Sequence, residues 1–306
     1  QQWAYALIFI TPAFWGVNYL VARAATNSIA PHMLAFWRWA LAGVLMAMVS
    51  WREIAAHRDA IRREARQLLV LGALGMWICG AFVYLGGRTT VATNIGLIYA
   101  LSPVLIAVFS AVARKERIGG VQGAGPALAL AGFFHIVLKG QWADLSSVQL
   151  TPGDWWIFAS AIAWTAYTLL LKGWPSAFGP AARLTLTTAA GVLVLLPFTI
   201  AEAIFFLPSE LSWKTFGYVV LTALFPAFGA YLSYSFMLRE LGAARVAVVL
   251  YLGPIYAALM SWIVLGEPVR GFHWLGAALI LPGIYLATRT QKEESRSRKA
   301  ENETQV

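Results

Sequence analysis

Aromatic rings interleaved with a few amides and hydroxyls recur along the apolar stretches of this chain, at spacings that place them on common helix faces. Trp77, Ala81, Tyr84 and Arg88 follow i, i+4, i+7, i+11, one stripe of a helix. Tyr231, Tyr234, Ser235 and Leu238 form a second stripe, Trp15, Asn18 and Tyr19 a third, and Trp164, Tyr167 and Thr168 repeat the third. Asn94, Tyr99, Ser102 and Tyr251 add to the set. Rings with sparse polar groups suit a small amphipathic solute, stacking on its apolar part and hydrogen bonding its polar part. The competing role for such rings is the interfacial belt, where Trp3, Trp51, Trp142, Trp155, Trp156, Trp213 and Trp274 are expected. Arg38 is the basic residue that falls inside an apolar stretch. Placing it there costs about 2.5–3.5 kcal/mol on insertion scales, so it needs a partner or a watery cavity. It binds a substrate carboxylate, anchors on backbone carbonyls, or snorkels to the nearer interface.

Other chemistries find no support. The four histidines, His32, His57, His135 and His273, show no HExxH spacing, and neither a phosphate-binding GxxxxGK run nor a G-x-S-x-G elbow occurs. No catalytic constellation, metal set or cofactor is expected, which argues against an integral membrane enzyme. Cys79, the single cysteine, reads as a small buried hydrophobe rather than a reactive thiol. The apolar stretches hold no Asp or Glu near their middles, so the usual carboxylate proton relay is missing and facilitated diffusion is favoured over obligate proton coupling. Helix breakers are the other pointer to a transport site: Gly75 and Pro226, Pro103 and Pro254. A proline frees a carbonyl, tolerable at membrane depth only against protein or a cavity. It acts as a hinge or substrate-facing carbonyl, or as a kink that only improves packing.

The elements that must position these residues are membrane helices. Hydrophobic residues make up 59% of the 306 and charged residues only 12%, about half the share of a soluble domain. Mean hydropathy is +0.67, so lipid must be the solvent. Ten apolar runs are expected to span, at 3–23, 32–51, 67–87, 91–113, 119–138, 153–172, 182–206, 213–237, 243–265 and 270–290. The chain lacks the basic start of a cleavable signal peptide. The tail 291–306 is expected to be disordered. The net charge of +9 lies between the apolar runs and in the tail, a pattern of topology signals and anionic-lipid contacts rather than nucleic-acid binding. With the N-terminus inside, the cytoplasmic side holds 17 Lys and Arg and the opposite loops five, so both termini are expected in the cytoplasm. Segment 52–66 is an amphipathic helix on that leaflet or a charged solvated loop. Gly119, Gly123, Ala127 and Ala131 make a stripe of small residues that permits close helix contact, within the chain or between two copies, leaving monomer and homodimer both open.

The chain also repeats itself. LSPVLIAVFSAVARKERI matches LGPIYAALMSWIVLGEPV at a constant offset of 151, pairing Pro103 with Pro254, Glu116 with Glu267, Gly125 with Gly276, Gly132 with Gly283 and Arg88 with Arg239. Trp15 and Trp164, with Arg23 and Lys172, pair at 149. The halves, 1–140 and 150–290, are read as two five-span units. Five is odd, so two copies in one chain sit in opposite orientations, the inverted repeat found in secondary transporters.

FWGVNYLVARAA, AFWRWALAG and above all LREL-GAARVAVVLYLGPIYAALMSWIVLGEPVRGFHWLGAALILPGIYL resemble the two EamA-type repeats of the drug/metabolite transporter superfamily. Within it the chain is similar to bacterial YddG-type exporters of aromatic and other neutral amino acids. That resemblance covers nearly the whole chain except the tail. It implies an all-α inner-membrane carrier with a central cavity, exporting a small molecule by alternating access. A drug or other metabolite carrier on the same fold is the alternative, and a carrier of doubly charged nucleotides would need more inward Lys or Arg than Arg38 alone.

Overall fold

The computed structural model describes residues 2–113, 120–143, 151–205, 209, 212–241 and 248–286; these are helical throughout, with short turns and no strand among them. We number the helical rods α1 (Gln2–Ala24), α2 (Pro31–Ala56), α3 (Arg58–Gly87), α4 (Ala92–Tyr99 and Ser102–Ala113), α5 (Gly120–Val137) and α6 (Pro152–Gly173). They continue as α7 (Pro180–Phe205), α8 (Trp213–Thr222 through Ala230–Leu241), α9 (Val248–Leu265) and α10 (Gly271–Leu286). Five (α1, α2, α3, α7 and the Trp213–Tyr234 part of α8) are long and apolar enough to cross a membrane by length and composition. The tail lies outside the described residues, as do RKERI and residues 242–247.

The charged segment 52–66 is neither a loop nor a separate surface helix. α2 and α3 run through it, and His57 alone interrupts them, with φ −120° and ψ 37°. WREIAA and RDAIRREA contain no Gly or Pro and are rich in helix formers, so both helices extend past their apolar parts. Ala60 packs on Phe178 and Ala182, while Arg52, Arg58, Arg62 and Arg63 stay exposed.

Two rods contain a wide π segment: Ala73–Ile78 in α3 and Ala223–Gly229 in α8. The second follows from Pro226, which offers no N–H and crowds the carbonyl four residues back, so the turn widens. The first encloses Gly75, where an added Cβ would lie 3.0 Å from the Tyr167 ring. Pro103 and Pro254 behave differently. α4 breaks at Ala100–Leu101 just before Pro103, whereas α9 runs unbroken through Pro254.

Several contacts are reciprocal between the halves. Glu202, near the end of α7, accepts the His32 and Met33 N–H groups at 2.7 and 3.2 Å and so caps α2. Glu53, near the end of α2, accepts the Gly179 N–H at 2.5 Å just before α7. Each carboxylate thus satisfies donors left open at the other helix's start, and Pro31 and Pro180 occupy the matching first turns. α5 and α10 cross backbone to backbone in the same fashion. A Cβ at Gly132 would sit 2.9 Å from the Gly276 carbonyl oxygen, and one at Gly283 would sit 2.8 Å from that of Gly125. The face of α5 that packs is therefore Gly125, Ala129 and Gly132, while Ala127 and Ala131 of the small-residue stripe are exposed.

Candidate functional site

The centre of the bundle is organised around Arg38. Its Nη1 donates to Tyr84 Oη at 3.1 Å, and Tyr84 Oη donates to Asn18 Oδ1 at 2.8 Å, linking α2, α3 and α1. The guanidinium stands 4.4 Å from the Trp39 ring centroid, a cation–π contact. Arg38 is 5% exposed, its Nε has no hydrogen-bond partner, and among the described residues no carboxylate lies within ion-pair distance of it. The Trp39 indole N–H is likewise buried and unpartnered.

Rings continue outward from this cation. Trp39 meets Tyr231 edge-on at 6.3 Å, Tyr231 meets Trp164 at 6.5 Å, and Trp164 stacks on Tyr167 at 5.3 Å. Tyr19 and Tyr99 stack at 5.8 Å, and the Tyr99 hydroxyl donates to the Cys79 carbonyl at 3.2 Å. The structure thus gathers Arg38, Asn18, Tyr84, Trp164, Tyr167 and Tyr231 into one connected set, with Tyr19 and Tyr99 as a second pair. Gly75 supports it by letting the Tyr167 ring approach α3, and Pro226 lies buried in the opposite π segment.

Other expected residues are elsewhere. Trp77 stacks on Phe198 at 4.0 Å and meets Phe82 edge-on, away from Arg38, and Arg88 is exposed. The stripe drawn at 3.6 residues per turn fails there because Trp77 lies in the π segment, whose wider turn shifts the face. Trp15 and Tyr234 pair at 6.0 Å against a separate cluster of Ala4, Ile8, Met237 and Val249. Asn94 joins a polar network at the α6 start: its Nδ2 donates to Asp154 Oδ1 at 3.1 Å, and its Oδ1 meets His273 Nε2 at 3.0 Å. Ser102 Oγ is buried without a partner at the α4 break beside Pro103. Pro254 approaches Gly96 of α4, where an added Cβ would stand 3.6 Å from its Cα. The Tyr251 side chain lies outside the described residues.

Sequence reasoning passed over Trp39, Asp154 and Glu202. Trp39 had a signal, being the ring next to the buried cation. Asp154 and Glu202 are 1% and 7% exposed although they lie near span ends, outside the mid-span positions to which the expectation of no Asp or Glu applies. The 149-residue spacing of Glu53 and Glu202, matched by Pro31 and Pro180, would have flagged the second.

The chain is 23% identical over 284 residues to the Bacillus subtilis protein called "Uncharacterized transporter YyaM", covering 93% of each. It is 25% identical over 291 residues to the Escherichia coli "Uncharacterized inner membrane transporter YedA", covering 93% of this chain and 90% of that one. It is 26% identical over 291 residues to a "Probable terminal-alkyne amino-acid exporter" of Streptantibioticus cattleyicolor, covering 94% and 93%. A crystal structure of a protein 20% identical superposes with a TM-score of 0.62 over 96% of this chain and 99% of that one, which shows a common fold. The model of the EamA-like transporter family matches twice, at residues 2–138 and 151–289. The chain accordingly belongs to the EamA-like transporter family and is a membrane transporter rather than an enzyme.

Proposed function

We propose that this transporter exports small amphipathic molecules bearing a carboxylate, most simply aromatic or other neutral amino acids, across the bacterial inner membrane. The observation that carries the reading is Arg38: a buried guanidinium with a free Nε and no carboxylate partner among the described residues, surrounded by rings. Such a cation is expensive to hold and is stabilised when an anion arrives. The indole N–H of Trp39, the amide of Asn18 and the Trp164–Tyr231 edge supply further polar and stacking contacts for the rest of the solute. The name of the Streptantibioticus relative supports the amino-acid class. A neutral drug would use the rings but leave Arg38 unpaired, so that alternative is disfavoured.

Movement is assigned to two inverted five-helix units rocking about the breakers. The two family matches support the units, and the reciprocal Glu53 and Glu202 caps support their two-fold relation. The paired π segments at Gly75 and Pro226 supply wide, poorly bonded turns where α3 and α8 can bend. Both termini and the basic α2–α3 hairpin face the cytoplasm in this reading.

The test is flux of radiolabelled aromatic and aliphatic amino acids from proteoliposomes, beside the corresponding amines that lack the carboxylate. Saturable flux of the acids and none of the amines is expected, with Trp164→Ala and Pro254→Ala lowering it in protein that still folds. Absence of flux for every amino acid in folded protein overturns the substrate class.

A further inference from the structure

Asp154 stands in the first turn of α6, at the end of the bundle away from the basic α2–α3 hairpin, and is 1% exposed. Its Oδ1 accepts from Thr90 Oγ1 and from Asn94 Nδ2 at 3.1 Å, and Asn94 Nδ2 also donates to Thr90 Oγ1 at 3.2 Å. The direction of the network is fixed from its far side. His273 Nδ1 accepts the Arg270 backbone N–H at 2.9 Å, so the ring hydrogen is on Nε2 and is donated to Asn94 Oδ1 at 3.0 Å. Asn94 must then turn its NH2 toward Asp154, as observed. One atom is left over: Asp154 Oδ2, sealed from solvent and without a hydrogen-bond donor among the described residues.

The charged groups around this network do not neutralise it. Lys139, from the α5–α6 connection, makes no ion pair with Asp154. Arg270 and Glu267 act on His273, and Glu267 is itself held by Arg23 Nε at 3.0 Å, Ser261 Oγ at 2.5 Å and the Ala92 N–H at 3.0 Å. The helix start, the donors from Thr90 and Asn94 and the Thr151 side chain just before α6 favour a carboxylate, but among the described residues no hydrogen bond reaches Oδ2. A bare, dry Oδ2 penalises the charged form, and a proton there removes the charge.

We infer that Asp154 is a proton-binding site that fastens this end of the transporter. In the closed arrangement, where Thr90, α4, α6 and α10 meet, an Oδ2–H bond forms with a proton taken from water. When these helices part, water reaches the carboxyl, the bond breaks and the proton returns to water. The closed form binds the proton more tightly, so closure is favoured as pH falls on this side and is lost as pH rises through the closed-state titration. His273 works in the opposite direction, because a protonated ring cannot accept the Arg270 N–H. The topology proposed above puts this end outside, and only the sidedness of the effect rests on that reading.

Two measurements test the site without any substrate. Infrared spectra of the reconstituted protein at neutral pH should contain a protonated-carboxyl band that Asp154→Asn abolishes and Asp154→Glu displaces. In a Cys79→Ser background, Thr93→Cys at this end should react with an impermeant maleimide at least tenfold faster at high pH than at low pH, after correction against the exposed Thr89→Cys. With Asp154→Asn added, labelling should stay slow and flat. A spectrum unchanged by Asp154→Asn, or labelling whose pH dependence survives it, overturns the assignment. Because neither readout involves transport, failure here is separate from failure of the amino-acid reading.

Discussion

Arg38 and Asp154 are both buried and ionisable, and among the described residues neither has an opposite charge within ion-pair distance. Their surroundings differ. Arg38 sits among rings contributed by several helices, with one hydrogen bond to Tyr84 and a vacant Nε. Asp154 sits where helix ends meet, with the Thr90 and Asn94 hydrogen bonds both directed at one oxygen. Glu202 shows what a satisfied group of the same kind looks like, with two backbone N–H groups and the His32 ring bound to it. A protein that can satisfy one buried carboxylate so fully has left the other two groups open for partners that come and go. On the readings proposed above, the partner of Arg38 is a carboxylate on the solute and that of Asp154 is a proton.

The largest effect expected from breaking this comparison is at Arg38. Removing one member of a desolvated charge pair costs about 2–5 kcal/mol. Arg38→Gln should therefore lower kcat/KM for amino acid flux by a factor of at least about thirty, while Arg38→Lys, which keeps the charge but loses the planar fork, recovers part of it. Flux of Arg38→Gln within threefold of the unmodified protein would make Arg38 a structural anchor and remove the basis for a carboxylate substrate.

The satisfied carboxylate should respond in stability instead. Glu202→Gln weakens three hydrogen bonds without emptying the site, a loss of about 1–2 kcal/mol. It should lower the thermal midpoint in detergent by several degrees and leave flux per folded molecule unchanged. Glu53→Gln should cost less, about 0.5–1 kcal/mol, because Glu53 is partly exposed and bonds a single Gly179 N–H. Equal stability in all three proteins would mean that the reciprocal caps do not hold the halves together.

The sequence makes the apolar rods legible because lipid demands long uncharged runs, and boundaries such as 3–23 and 32–51 differ from α1 and α2 by only a few residues where the helix ends are apolar. It misplaces the α2–α3 junction because hydropathy cannot see a helix that continues into charge. Arg38 stands out as a lone cation, and Asn18, Tyr84, Trp164, Tyr167 and Tyr231 follow it by spacing. Asp154 and His273 stay hidden because their meaning lies in contacts with Asn94, 60 and 179 positions away in the chain. Trp77 is misread for a local reason, since the periodicity that selected it assumes an α-helix and the chain there is not one.

The smallest expected effect follows from that last point. Trp77 and Trp164 are both half-buried tryptophans, but Trp164 touches Tyr231 and Tyr167 in the set around Arg38, whereas Trp77 stacks on Phe198 of α7. A stacked pair is worth about 0.5–1.5 kcal/mol beyond its buried area, and a phenyl ring retains most of it. Trp77→Phe should change stability only slightly and Trp77→Ala should change flux by less than about twofold, whereas Trp164→Ala, which removes the ring altogether, loses roughly three- to tenfold in kcat/KM on the same scale. Measured side by side, a larger loss at Trp77 than at Trp164 would move the solute path to the α3–α7 face and separate it from Arg38. The expected order keeps the path with the unpaired cation and leaves Trp77 as packing between two helices.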